Sequence, residues 1–517
     1  MGFCCLQKYE NMKTIFLSIL SIASSLAMVS QNVYYVSTSG NDSNDGSTIS
    51  TAWRTITYAA SSGSDVSPGD TVFIKAGDYG NEYVVFETSG TSSNQITFEG
   101  YRSTPGDHPD LQWIYGDLLD ASVMPLLDGG DRTTGTAITL ENRKHIIVKN
   151  LQIRNYRDGI SAKNGHHLKI DNINTMNFGN INEHYRGKGI VFWLASNNTI
   201  ENCSVLNACA EGISIMGDNQ TLRNCRIYSD DNTTGYKSAM DYYIHVEGNN
   251  NVIEECYTER IGELDHGGHG ISLKGNCENN LIINCISKGM DSDGYQLRHR
   301  GVKNNIIKNS LAINCGFVIR DGASHNSIKN CKSINAENSV YFLDTSEDGG
   351  AQNSGTYNVF ENCIFQNPSE AQISFFYYDQ VSPAKNNTFM NCVFDGGKYL
   401  FTCDRENNGN KMINSIIINV ENFYRTGYKQ HTWYPLNFDF EYSNFYNNWF
   451  NTPSGSNITT YDPNFVSICN NNYRLKASSL CIDAGVLEGA PSTDFDGTSR
   501  PLGNGVDIGA FEYNPLP

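Results

Sequence analysis

One phrase recurs along this chain and restricts its folding more than any other feature: an apolar residue, any residue, Asn, then Cys or an apolar residue. It is centred on Asn150, Asn172, Asn202, Asn224, Asn284, Asn309, Asn330, Asn362, Asn391 and Asn414, with Glu255 replacing Asn in one copy. The gap between copies varies from 21 residues (Asn309 to Asn330) to 32 (Asn330 to Asn362). A helical repeat would hold its period more tightly, whereas stacked β coils keep their strands in register and let loops vary. The position after Asn is often Cys: Cys203, Cys225, Cys256, Cys285, Cys331, Cys363 and Cys392. A column of small apolar side chains inside the coil accounts for this, because free Cys packs as a small hydrophobe. The Asn column reads as a buried amide ladder at a turn, where Asn tolerates the left-handed region and bonds to the next coil.

A second strand accompanies each coil. Its copies are GISAK (159–163), GIVFW (189–193), GISIM (212–216), YIHVE (243–247), GISLK (270–274), GYQLR (294–298), FVIR (317–320) and YFLD (341–344). Alternation points Ile271 and Leu273 inward and Ser272 and Lys274 outward. The fold predicted is all-β: a single-stranded, right-handed parallel β-helix of about 10–13 coils with a cap at each end.

The apolar run Ile15 to Val29 after Met12-Lys13 reads as a secretory signal peptide, with cleavage near Ala27 to Ser30 and residues 1–11 as a misassigned upstream start. Residues 31–517 read as one β-helix domain, secreted to the periplasm or beyond. No later run is long enough to span a bilayer. A net charge of −18 argues against a general nucleic-acid binder. Fifteen cysteines in an exported chain would ordinarily suggest disulfides, but their place in the repeat predicts stacked thiols. A capped solenoid is content as a monomer.

Stacking the second strands brings outward residues together. One column reads Lys163, Trp193, Met216, Glu247, Lys274, Arg298, Arg320, Asp344, and the column two residues earlier includes His245, Ser272, Gln296, Val318 and Phe342. His269 and Asp293 stand at strand entrances, with Asp265 and His266 just before. Three stacked cations, Lys274, Arg298 and Arg320, are costly without an anion. Neutralisation by Glu247, Asp293, Asp321 and Asp344 is one reading. The other is a groove for a uronate or sulfated polysaccharide, with Arg gripping the anion. Arg300, Gln296, Glu247, Asp293 and Trp193 join Arg320 as candidate sugar contacts. Cleaving such a glycan by β-elimination needs the carboxylate neutralised, the C5 proton removed and the leaving oxygen protonated. Lys274 among cations is one candidate base, and His269 and His245 are its rivals.

GISLK followed one coil later by GYQLRHRG resembles the chondroitinase-B and alginate-lyase β-helix family. That resemblance implies Lys274 as base and Arg298 as second catalytic cation. The family's calcium ligands before the Lys are replaced here by Glu263, Asp265, His266 and His269. MDSDGYQL (290–297) resembles the calcium phrase of family-nine pectate lyases, with Ser292 and Gln296 where carboxylates are expected. Calcium is thus a candidate cofactor at Asp265 and Asp293. Residues 33–100 and the C-terminal IDAGVLEGAPSTDFDGTSRPLGNGVDIGAFEY resemble the ends of secreted bacterial β-helix proteins.

The leading expectation is a lyase of an anionic glycan. A glycoside hydrolase, on a sulfated fucan or a galacturonan, would instead need paired carboxylates: Glu247 with Asp265, or Asp293 with Asp344. A non-catalytic glycan-binding solenoid needs only the stripe, and a uronate C5-epimerase shares the proton abstraction.

Overall fold

The computed structural model describes residues 31–107, 113–179, 187–230, 240–262, 268–291, 293–344, 355–377, 384–403, 407–426 and 436–515. The stretch expected to be a signal peptide (1–30), Glu263, Asp265 and His266, and Ser292 lie outside these residues.

The chain is a right-handed parallel β-helix. Two short strands flank each Asn corner, as Thr199–Glu201 and Ser204–Ala208 flank Asn202, and each pairs in parallel with its counterparts one coil away. A further sheet stacks thirteen parallel strands, from Val84–Val85 to Asn422–Thr426. The alternation has the expected sense. Ile213, Ile244, Ile271, Tyr295 and Phe317, with Ile215, Val246, Leu273, Leu297 and Ile319, point inward and are at most 1% exposed. Burial of each such side chain contributes about 1.5–3 kcal/mol, and each coil completes the apolar face its neighbour leaves open.

Every corner residue of the repeat, Glu255 included, is left-handed, with φ between 48° and 60°. Their burial departs from the expectation. Asn150, Asn362, Asn391 and Asn414 are buried, but Asn284 and Asn309 are exposed. The buried ladder is instead four residues upstream of the corner: Asn251, Asn280, Asn305, Asn326, Asn358, Asn387 and Asn410, each at most 1% exposed. Each Oδ1 accepts the backbone N–H of the preceding coil's ladder residue, and from Asn305 onward that residue's side-chain amide too, at 2.8–3.1 Å.

The C-terminal segment accounts for the burial of Asn362, Asn391 and Asn414. It lies along the side of the last coils, where Phe465, Tyr473, Leu475, Ile508 and Phe511 pack against Ile364, Val393, Ile416 and Ile418. Its carbonyls accept from the corner amides: Asn362 donates to Thr493 O, Asn391 to Asp507 O and Asn414 to Val486 O, at 2.8–2.9 Å. At the other end, Thr55 caps the short helix Ile56–Ala60, which buries Ile56, Ala59 and Ala60 in the core beside Trp53. In the aromatic stretch 422–450, Phe438, Phe440 and Phe445 are core residues, with Phe423 and Phe450 packed against them; residues 427–435 lie outside the described set.

The seven column cysteines are free and buried. Each thiol points at the carbonyl two residues before it, at 3.1–3.4 Å.

One register expectation is corrected. Arg320 pairs with Leu343, not Asp344, and Val318 with Tyr341, not Phe342. Phe342 is fully buried in the core. A slip of one residue exchanges the faces of a strand, and the alternation of YFLD alone does not decide which is inside.

Two outcomes follow. Asn326→Ala orphans buried partners and should cost about 2–3 kcal/mol, whereas Asn309→Gly at the exposed corner should stay within about 0.5 kcal/mol; paired thermal melts separate them. Thiol titration of the folded protein should find Cys469, the one exposed cysteine among the described residues, while titration after denaturation without reductant should find the column cysteines as well. Column thiols missing from that second titration would mean disulfides.

Candidate active site

The outward face of the thirteen-stranded sheet carries the charged residues. Lys274 and Arg298 are register partners on adjacent coils, and Arg298 and Arg320 are the next pair, so the expected cationic row exists. It is not an exposed stripe. Lys274 is half-buried, but Arg298 and Arg320 are only 6% and 7% exposed. Both guanidinium groups donate through Nε to the same oxygen of fully buried Asp321, at 3.1 Å each. Asp321 follows Arg320 in a left-handed conformation, φ 52°, which turns its carboxylate back between the two coils.

The strand Asp293–Lys303 carries one extra residue opposite Lys274–Asn276, so that Asn276 pairs with Gly301. This bulge places His299 at φ 89°, with Nδ1 accepting from the Gly275 N–H at 3.1 Å. Arg300 lies within the bulge, exposed and off the row.

Lys274 Nζ donates to Tyr242 Oη at 3.0 Å and lies 5.0 Å from that ring's centroid. Tyr242 is buried between two imidazoles, with ring centroids 4.7 Å from His245 and 5.1 Å from His269. Its part in the cluster depends on a cross-coil contact that spacing does not reveal.

The two histidines differ. His269 Nδ1 is 2.9 Å from buried Asp293 and 3.1 Å from Gln296 Nε2, which itself bonds Asp293. The carboxylate is the stronger acceptor, so Nδ1 carries the proton toward Asp293 and Nε2 faces outward, 3.9 Å from Asp241. Gln296 is fully buried, accepts from Ser272 Oγ at 2.8 Å and supports this pair from beneath.

His245 is buried with both ring nitrogens facing carboxylates: Nδ1 is 3.5 Å from Glu211 and Nε2 3.2 Å from Glu247. Neither contact has hydrogen-bond alignment, so the attraction is mainly charge on charge. Burial alone would lower the imidazole, but the two carboxylates outweigh it and hold His245 above its ordinary value. Burial alone would raise Glu211; the imidazolium, with Lys188 at 2.9 Å and the Ser214 hydroxyl, overrides this and holds it at about 2. His245 likewise holds Glu247 below the usual carboxylate range. A histidine with both nitrogens so engaged is poorly placed to abstract a substrate proton.

The chemistry available is therefore asymmetric. Two carboxylates stay ionised around His245. A lysine, a tyrosine and an aspartate-backed histidine meet one coil further on, beside two buried guanidinium groups. Trp193 stands in the same column as Glu247, 52% exposed, with Lys163 Nζ 5.7 Å from its ring. At Asp293 the neighbours are an imidazole and an amide N–H. No group of three His, Cys, Asp or Glu side chains suited to a metal occurs among the described residues. Asp265, the other calcium candidate, lies outside them.

A family model for Pel9A-like right-handed β-helix regions matches residues 34–239, and one for right-handed β-helix regions matches 188–353. No curated protein matches the chain in sequence. Among solved structures, the lacto-N-biosidase of family GH136 from Eubacterium ramulus is 13% identical, with a TM-score of 0.49, over 74% of this chain and 70% of that one. The family 6 polysaccharide lyase from Pseudopedobacter saltans is 13% identical, with a TM-score of 0.44, over 81% and 95%. Pectate lyase Pel9A is 16% identical, with a TM-score of 0.37, over 94% and 97%. At such identities these likenesses concern the fold. No described helix is long and apolar enough to cross a membrane.

The Glu211–His245–Glu247 cluster carries a pH signature. The depressed Glu211 contributes stability that is complete above about pH 4.5 and is lost as pH falls toward 2. The raised His245 contributes stability that is complete below about pH 6.5 and is lost as pH rises through its folded value. Glu211→Gln should lower stability by about 3 kcal/mol near pH 6 and flatten the acid limb of a melting-temperature profile.

Proposed function

We propose that this protein is a polysaccharide lyase that cleaves an anionic, uronate-containing extracellular glycan by β-elimination. The observation that carries the reading is the register pairing of Lys274 with Arg298, with Asp321 holding Arg298 and Arg320 together. In a uronate the acidic C5 bears the carboxylate, so base and carboxylate-binding cation must be neighbours. Lys274 and Arg298 are one coil apart, about 4.8 Å.

In this reading Arg298 neutralises the substrate carboxylate, supported by Asp321 and Arg320. Lys274 takes the C5 proton, and its bond to Tyr242 Oη holds its nitrogen at the groove floor. Electrons from the C5–H bond form the C4–C5 double bond as the C4–O bond breaks. As an imidazolium backed by Asp293 at Nδ1, His269 gives the departing oxygen its Nε2 proton. Negative charge developing on the carboxylate meets preorganised cations in a water-poor site, where they act most strongly.

Hydrolysis is less well served. It needs one carboxyl protonated as general acid, and His245 holds both Glu211 and Glu247 ionised.

Turnover of uronic glycans, followed as unsaturated product, tests the assignment. Lys274→Ala should lower it at least about 100-fold, and Lys274→Arg nearly as far, because Arg keeps the charge but does not give up its proton. Full activity in Lys274→Arg would move the base to His269. Arg298→Ala should also lose about 3 kcal/mol of stability, unlike a surface substitution, since it leaves a buried network incomplete.

A further inference from the structure

Strand register fixes the order of charges along the outward column: Lys163, Trp193, Met216, Glu247, then Lys274, Arg298 and Arg320. Between Lys163 and Lys274, three successive coils bring two uncharged side chains and a carboxylate. The cations alongside them are already engaged. Lys188 Nζ is 2.9 Å from Glu211, and His245 lies between Glu211 and Glu247 at 3.5 and 3.2 Å. The imidazolium of His245, with Lys274 further off, keeps the Glu247 carboxyl below its usual range, so Glu247 is a fixed negative charge. Its carboxyl carbon reaches toward the next coil, 3.4 Å from where a Cβ on Gly275 would stand, and so lies beside Lys274.

Coils are about 4.8 Å apart, close to the length of one pyranose unit, so a glycan along the column places about one sugar on each coil. With a uronate carboxylate at Arg298 and its C5 at Lys274, the next sugar on the Glu247 side meets that fixed charge. A second uronate there would set carboxylate against carboxylate, and Met216 and Trp193 beyond offer no counter-charge. An uncharged sugar meets instead a carboxylate oxygen that accepts from its hydroxyls, then at Trp193 an aromatic face suited to the C–H face of a pyranose.

We propose that Glu247 selects the sugar next to the cleaved uronate, so that the substrate is a chain in which uronates alternate with uncharged sugars and chains of uronate alone are disfavoured. This rests on the lyase site proposed above and adds the subsite beside it. Both neighbours of every uronate in an alternating chain are uncharged, so the preference holds for either direction of binding.

The test compares oligosaccharides of one length from two alternating chains, unsulfated chondroitin and rhamnogalacturonan, with those from alginate and pectate, which are uronate throughout. Affinity is measured by titration calorimetry on Lys274→Arg, which keeps the charge of the row, and turnover as unsaturated product is measured on the unaltered protein. At least one alternating chain should bind about tenfold or more tightly than both alginate and pectate. The four chains also differ in stereochemistry, so Glu247→Gln, added to the same background, isolates the charge. It should raise the affinity for alginate and pectate and lower that for the alternating chain. A further measurement needs no change at Glu247: added salt should narrow the gap, because it screens the repulsion. Alginate or pectate bound as tightly as both alternating chains would overturn the inference, as would a gap that neither Glu247→Gln nor salt narrows. The two readings fail separately. Unsaturated product formed fastest from alginate or pectate would uphold the lyase and overturn the selection by Glu247. A charge-dependent binding preference without unsaturated product would do the reverse.

Discussion

The buried asparagine ladder is the constraint on which the rest of the molecule depends. A parallel coil has a corner at which a backbone N–H would otherwise be buried without a partner. From Asn280 to Asn387 each such N–H is met by the side-chain oxygen of the next coil's Asn, and the side-chain amide joins it. An unmade hydrogen bond there costs more than the made one contributes, so coils either register on the ladder or do not stack. Where Gln220 interrupts the series, its own Nε2 and that of the Asn251 amide have no aligned partner, which marks the ladder's start as its weaker end.

That register is what makes a site possible. Outward side chains on successive coils are brought about 4.8 Å apart whether or not their charges agree. Placing Lys274, Arg298 and Arg320 in one row works against repulsion, and the fold answers with Asp321, buried and turned back by a left-handed residue so that one oxygen serves both arginines. The same geometry places Glu211 and Glu247 on the two sides of His245. The stretch between these charge clusters, around half-buried Lys274 and buried Tyr242, is where neither sign dominates.

Much of this was legible in the sequence, and the failures have physical causes. Period-two alternation identified the inward residues, and the Cys column identified the core, because both depend on neighbours within one strand. The amide ladder was placed four residues too late. Corner Asn and ladder Asn look alike in composition, and only burial distinguishes Asn309 from Asn305. The one-residue slip at 341–344 arose where Tyr, Phe and Leu all suit an interior. The cationic row was found but expected at the surface, because sequence shows which face a residue takes and not what covers that face. Tyr242 and Asp321 were underweighted because each acts through a partner more than twenty residues away.

The central claim is elimination rather than hydrolysis, and product mass addresses it most directly. Hydrolysis adds one water across the broken bond; elimination adds none and leaves a C4–C5 double bond. Mass spectrometry of fragments from a defined uronic oligosaccharide should therefore show new non-reducing-end fragments one water lighter than their saturated counterparts, with ultraviolet absorbance to match. Fragments of full saturated mass, without that absorbance, would contradict the account and assign the groove to a hydrolase.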